Sequence, residues 1–527
     1  MSSQSDQAGR SRRHFLAWLA SAFAWLPLAG QVQTPPPPTA QPNQRRAGSA
    51  AGRGAGRGRG RGDTYELPAE LASLANLSLV LGRVTDRSVT VNALSQESRE
   101  LFLEYGPAGQ PTAQKSAVQT VDARQAIEVT LANLQPDTAY TYRLQLRRPG
   151  EKSFTAHPGG RFHTQRPPGS SFVFTIQGDS HPERPQMSHP DLYARTLQQA
   201  AAAEPDFHIC MGDDFSVEKL RTYSSRDLEE PYRLQRPFLG LVGRAAPLFL
   251  LNGNHEQASL YNYNLKGDPH LVAVGAQVAR NRFFPNPAPD EFYSGDGEPL
   301  SEIGMLRDYC AWTWGDALFV ILDNYWHSPA LVDTALHERD DGNNSGRKNR
   351  DWWGLTLGDT QYQWFRRTLE QSTARYKFVF AHHVLGSGRG GIDEAHLYEW
   401  GGQNQRGMSE FKQRRPGWEL PVHALMVKHG VTAFFQGHDH LYARQELDGI
   451  VYQEVPMPAD HGYVAYNEDR YRSGLKLPNS GFLRVSVSPA EVRIEYVRIY
   501  LPQDEGAGRR TGDVAHAYEL KPKNRTV

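Results

Sequence analysis

Five short apolar runs in this chain stop in the same way. SFVFTIQ runs into GDSH, DFHICM into GDD, PLFLL into NGNHE, KFVF into AHH and VTAFF into QGHDH. Each run has the length and composition of a buried β-strand. Each ends in Asp, Asn or His, and in four of the five a glycine stands directly before the first polar residue. One such turn is an ordinary strand end. Five of them are too many for capping alone, because in an open α/β sheet the carboxyl ends of the strands are where ligands bind. The stretches DLYARTLQQAAAAE, DTQYQWFRRTLEQSTA and PVHALMVKHG between them read as helices, so residues 170 to about 500 are expected to form an α/β domain.

The residue types at these turns point to metal. Imidazole, carboxylate and amide oxygen suit hard or borderline divalent or trivalent ions, and none of the turns offers a thiolate. The chain has only two cysteines, Cys210 and Cys310. Both sit in apolar strand-like runs and read as buried free thiols. Seven candidate ligands remain: Asp179, His181, Asp213, Asn254, His382, His438 and His440. Seven exceed one tetrahedral zinc site and suit two ions that share a carboxylate. His438 and His440 stand two apart, which in an extended segment points both imidazoles to one side of the chain.

The ordered set DSH, GD, GNHE, VFAH and GHDH, from Asp179 to His440, resembles the calcineurin-like metallophosphoesterase superfamily. The resemblance implies an α-β-β-α sandwich holding two divalent or mixed-valence ions (Mn, Zn or Fe). It gives Asp179, His181 and His440 to one ion, Asn254, His382 and His438 to the other, and Asp213 to both. His255, next to Asn254, is then placed to hold a phosphate oxygen or to protonate the leaving group. Asp214, Glu256, His383, Arg389 and His461 are candidates for substrate contact or for supporting a ligand. His208 reads as a core residue inside a strand, and His327, His423 and His429 stand in no motif.

Residues 70 to 166 differ in kind. LSLVLGRVTDRSVTVNAL, RELFLEYG, AIEVTLANL, AYTYRLQL and GRFHT are short alternating segments between turn residues, the signature of an all-β sandwich. LANLQPDTAYTYRL resembles the corner of a fibronectin type III module, with Tyr140 or Tyr142 pinning the preceding loop. Such a module before this catalytic domain is similar to the purple acid phosphatase architecture. Two departures stand out. That family has a glycine where His181 stands and a tyrosine ligand where Ser216 stands, so no tyrosinate–iron chromophore is expected. An aspartate that often orients the catalytic histidine in the wider superfamily is also replaced by Ser216, and Glu256 is the candidate substitute.

The first 30 residues, with Arg12 and Arg13 before a short apolar run, resemble a twin-arginine signal peptide. Residues 31–69 read as a disordered tether: residues 31 to 64 hold TPPPPTAQP and AGRGAGRGRGRGD and no apolar side chain large enough to build a core. No aromatic is interleaved among its arginines to stack on bases. With 58 basic and 58 acidic residues, net charge favours no nucleic-acid partner either. Residues 501–527 read as a tail. The expected protein is therefore an exported (periplasmic or secreted) phosphoester hydrolase with no transmembrane segment after signal removal. It acts on a small phosphomonoester through a metal-bridging hydroxide. A phosphodiesterase for nucleotides or phospholipid head groups would use the same motifs. A catalytically dead surface-binding protein would be expected to have lost at least one ligand. Nothing in the sequence specifies an oligomeric state.

Overall fold

The computed structural model describes residues 71–331, 352–384, 388–506 and 508–522. The signal-type segment and the Arg-Gly tether lie outside them. The alternating segments at the N-terminal side pair into two antiparallel sheets. One joins β1 (Leu77–Gly82), β2 (Val89–Ser95) and β6 (Ala126–Leu131). The other joins β3 (Arg99–Pro107), β4 (Gln114–Lys115), β7 (Ala139–Arg147) and β8 (Thr155–His163), with β5 (Gln119–Val121) also on β3. Every second residue of β7 is buried, and Leu79, Leu81, Val91, Leu103, Val129 and Leu144 fill the space between the sheets. The two tyrosines separate in role. The Tyr140 hydroxyl accepts the amide of Gln135 at 2.9 Å and pins the loop. The Tyr142 hydroxyl donates to the carbonyl of Arg244, far along the chain, at 2.9 Å.

Two mixed sheets follow. The first has the order β11 (Leu248–Leu250), β10 (Phe207–Cys210), β9 (Phe172–Gln177), β22 (Gly481–Val487), β23 (Val492–Arg498) and β24 (Val514–Leu520). Its first three strands are parallel. The second has the order β12 (Ser294–Gly295), β15 (Cys310–Trp314), β16 (Ala317–Ile321), β17 (Tyr376–Phe380), β18 (Ala433–Gln436), β20 (Ile450–Glu454), β19 (Tyr442–Leu447) and β21 (Leu475–Leu477). The strands β16, β17, β18 and β20 are parallel. A short hairpin of β13 (Pro299–Leu300) and β14 (Gly304–Met305) stands apart. The sheets face each other across an aromatic core that includes Phe174, Phe207, Trp312, Phe319, Phe378 and Phe435. The helices Pro190–Ala202 and Ser225–Gly243 cover the outer face of one sheet, and Gly358–Gln371 and Val422–Lys428 that of the other. Both cysteines are buried free thiols. Among the described residues, no helix is long and apolar enough to cross a membrane.

One sequence expectation needs correction. The segment after residue 500 is not all tail, because Val514–Leu520 pairs along β23 as an edge strand. No residue of that strand is fully buried, and Tyr518 and Leu520 on one face pack partly against the core.

The sandwich is fastened to the α/β domain by a buried arginine. Arg236, on the helix Ser225–Gly243, is 1% exposed. It donates to the Ser78 hydroxyl and carbonyl at 3.0 Å each, to Asn92 Oδ1 at 2.8 Å and to the Asn92 carbonyl at 3.0 Å, and also to the Phe283 carbonyl. Burial lowers its pKa to about 9, so it stays charged at neutral pH. Arg236→Met removes every one of these donors and leaves buried acceptors unpaired. It is expected to cost about 3 kcal/mol or more, read as a lower midpoint in urea unfolding. An unchanged midpoint would mean that the two domains are held by their apolar contact alone.

Candidate metal centre

The five strand ends meet at one edge of the facing sheets. Asp179 follows β9, Asp213 follows β10, Asn254 follows β11, His382 follows β17, and His438 and His440 follow β18. Two groups of donors result, Asp179–His181–Asp213–His440 and Asp213–His382–His438, with Asp213 common to both. All of these residues are buried. Asn254 opens the turn Asn254–Glu256 beside them and is 5% exposed.

Each carboxylate divides its oxygens between backbone and site. Asp179 Oδ1 accepts the amide of His438 at 3.0 Å, and Asp213 Oδ1 accepts that of His255 at 2.8 Å. The second oxygens face imidazoles. Asp179 Oδ2 is 3.0 Å from His440 Nε2 and 3.9 Å from His181 Nε2. Asp213 Oδ2 is 3.3 Å from His382 Nε2 and 3.7 Å from His181 Nε2. The glycines before the ligands follow from this crossing of loops. A Cβ on Gly253 would lie 2.2 Å from Asp213 Oδ1, and one on Gly437 would lie 2.5 Å from Asp179 Oδ1. The backbone is strained where the ligands are: His181, Asp213, His438 and His440 all have positive φ, between 40° and 77°. Such conformations cost roughly 1–3 kcal/mol each and persist where the surroundings impose them. Neither histidine after β18 is therefore extended, and it is the turn, not strand alternation, that sends them to different groups.

The donors fit metal ions. His181 Nε2 is buried and has no hydrogen-bond partner. His382 Nδ1 is 2.8 Å from the Met211 carbonyl, so that nitrogen carries the proton and Nε2 is left to face the site. Burial would lower the pKa of His382, yet the charges of Asp213 and Asp179 push it up to about 10. Without cations, the proton on His382 balances the charge of these ionised carboxylates, so metal binding here releases it.

The supporting residues are not all those the sequence singled out. Glu256 does not orient His255. Its carboxylate accepts the amides of Gly253, Asp213, Asp214 and Phe215 at 2.6–3.1 Å, tying together the loops that carry Asp213 and Asn254. Burial and the nearby Asp213 raise it to about 7. The partner of His255 is Glu218, whose Oε1 is 2.6 Å from Nδ1, with Arg184 Nη2 2.8 Å from Nε2. Burial lowers the His255 pKa, but Asp213 and Glu218 outweigh it and raise it above its usual value. Asp214 does not support a ligand histidine. Burial holds it well above the usual carboxylate range, and it accepts Ser180 Oγ at 2.5 Å and Gln177 Nε2 at 3.0 Å. The residue behind His181 is Glu183, with Oε1 3.3 Å from Nδ1, and Ser216 Oγ lies 3.4 Å from the same nitrogen. Arg389 binds Asp439 and the His438 carbonyl. His383 packs against His438 with Nδ1 on the Val384 carbonyl, and His461 meets His189. Glu183, Arg184 and Glu218 lie in no motif, and only the fold reveals them.

Two facing mixed sheets with a buried Asp–His centre at one edge define a metal-dependent phosphoester hydrolase. The chain belongs to the calcineurin-like phosphoesterase family, whose profile matches residues 172–442. It is 24% identical over 338 residues to tartrate-resistant acid phosphatase type 5 of Mus musculus, covering 59% of this chain and 80% of that protein. It is 23% identical over 335 residues to the Homo sapiens protein of the same name, with the same shares covered. The fold is similar to that of PhoD (TM-score 0.57, 15% identity, 86% of this chain and 92% of that one). It is also similar to purple acid phosphatase PPD1 from yellow lupin, Lupinus luteus (TM-score 0.53, 17% identity, 84% and 74%).

Proposed function

We propose that the protein is an exported phosphomonoesterase with a dinuclear centre. Asp179, His181 and His440 hold one cation, Asn254, His382 and His438 the other, and Asp213 both. The observation that carries this reading is Asp213 itself, whose single carboxylate belongs to both donor groups. The likeness to tartrate-resistant acid phosphatases supports a monoester substrate. When bound, the cations neutralise phosphate oxygens and supply the activated water. The chain's own residues do the rest. In the free site Arg184 donates to His255 Nε2 while Nδ1–H donates to Glu218. A phosphate that draws Arg184 away leaves Nε2 to take a proton, held there by Asp213 and Glu218. His255 then delivers that proton to the departing oxygen. We read the N-terminal sandwich as a fibronectin type III-like module that positions the catalytic domain, a reading supported by its strand order and by Tyr140.

The test is a panel of phosphate monoesters and diesters, assayed on protein stripped with a strong chelator and reloaded with Mn, Zn or Fe. Activity on monoesters that returns as about two ions per chain bind is expected. Preference for diesters would move the assignment to a phosphodiesterase. Export rests on Arg12 and Arg13. Replacing both with lysine should leave active enzyme in the cytoplasm, and undiminished export would point to another route.

A further inference from the structure

Three further side chains converge outside the two donor groups. Asp296 follows β12, Asp308 precedes β15 and His327 lies in the turn after β16, and their donor atoms lie within 4.8 Å of one another. Asp308 Oδ2 is 3.3 Å and Asp296 Oδ2 3.9 Å from His327 Nε2. In the centre described above, the carboxylate–imidazole separations run from 3.0 to 3.9 Å. Donors sharing one ion at roughly 2.1 Å stand about 3.0–3.5 Å apart, whereas a charge-assisted hydrogen bond closes to about 2.7–2.9 Å. The shorter separation fits donors around one ion, although it is also that of a long hydrogen bond, and the longer one leaves room for the ion between Asp296 and His327.

A second observation concerns Asp308. It is 2% exposed, and while Oδ2 faces the imidazole, Oδ1 has no hydrogen-bond partner among the described residues. A buried carboxylate oxygen without a donor is destabilising unless something binds it. Arg280 does not meet this need, since its two terminal nitrogens donate to the carbonyls of Arg307 and Leu250. Burial pushes Asp308 up to about 6, with the charges of Asp323 and Asp296 adding to the rise and the hydrogen bond to His327 opposing it.

We propose that Asp296, Asp308 and His327 form a third cation site, separate from the dinuclear centre, for a hard or borderline divalent ion such as Mn²⁺, Zn²⁺ or Ca²⁺. Two carboxylates and a neutral imidazole supply charge and donors of the right kind. The His327 side chain is 21% exposed, which leaves a side open for the ion to enter and for water to complete its shell. The ion joins the segment before β15 to the turn after β16. In that turn Asp323 Oδ2 accepts Asn252 Nδ2 at 2.9 Å, two residues before Asn254. The site thus braces one wall of the catalytic centre without touching it.

The test counts ions and does not depend on activity. Full-length protein is stripped with a chelator, dialysed against MnCl₂, ZnCl₂ or CaCl₂, and analysed by mass spectrometry and thermal unfolding. The wild type is expected to bind about three ions of a preferred metal, and Asp308→Asn and His327→Gln about two. Asp213→Asn should lose ions from the dinuclear centre and still show the rise in Tm that the third ion produces, which separates this site from the other. Asp296→Asn, a milder change, decides the matter if Asp308→Asn does not fold by circular dichroism. Equal ion counts in the wild type and the folded variants would overturn the site and leave an ion pair between His327 and the two aspartates.

Discussion

Asp213→Asn is expected to bring metal content from about two ions per chain to one or fewer in the dinuclear centre. It should cut kcat on nitrophenyl phosphate by more than the roughly 10–100-fold that loss of an outer-shell partner costs. The amide keeps the shape of the side chain and one acceptor for the His255 amide, 2.8 Å away. It loses the charge that Asp213 Oδ2 presents to His382 at 3.3 Å and to His181 at 3.7 Å. Those two histidines belong to different donor groups, so a single substitution disturbs both. Glu218→Gln, which touches no ligand assigned here, is the control and should keep its metals. Full activity with one equivalent of bound metal would remove the dinuclear assignment.

His255→Ala is expected to discriminate between leaving groups. A nitrophenolate departs readily without a proton, whereas the alkoxide of glycerol phosphate needs one in the transition state. Loss of a general acid costs roughly 10²–10⁴-fold, or about 3–5 kcal/mol of barrier. That loss should appear on alkyl phosphates and be clearly smaller on aryl phosphates. Glu218, 2.6 Å from Nδ1, holds the ring and its charge, so Glu218→Gln should show a weaker form of the same bias. Glu256→Gln acts on the backbone of the ligand loops and should affect both substrates alike. Equal losses from His255→Ala on the two substrate types would exclude proton transfer and leave the imidazole as a clamp on a phosphate oxygen.

The role of Glu218 shows where reading the chain alone stops. Glu256 was the natural candidate to orient His255 because it is the next residue, but adjacency in a tight turn sends successive side chains to different places. Glu256 turns inward to the amides of two loops, and Glu218 reaches His255 from 37 residues away. The same holds for Asp214, which is next to the bridging aspartate in sequence but buried among Ser180 and Gln177. Arg389, by contrast, donates to Asp439 and to the carbonyl of ligand His438, and so supports that loop.

The five strands, the edge at which they end and the residue types at that edge were determined by the sequence. Buried β-strands are read from runs of apolar residues, and ligand chemistry from the Asp, Asn and His that follow each run. These are local properties, carried within a few residues. The tertiary structure alone decided the partners of His255 and His181, and the meeting of Asp296, Asp308 and His327. It also decided that Val514–Leu520 completes a sheet. Each of these depends on which distant loops cross and on which oxygen of a carboxylate an amide occupies. The spacing of residues along the chain does not encode such long-range contacts, and the packing of the two sheets does.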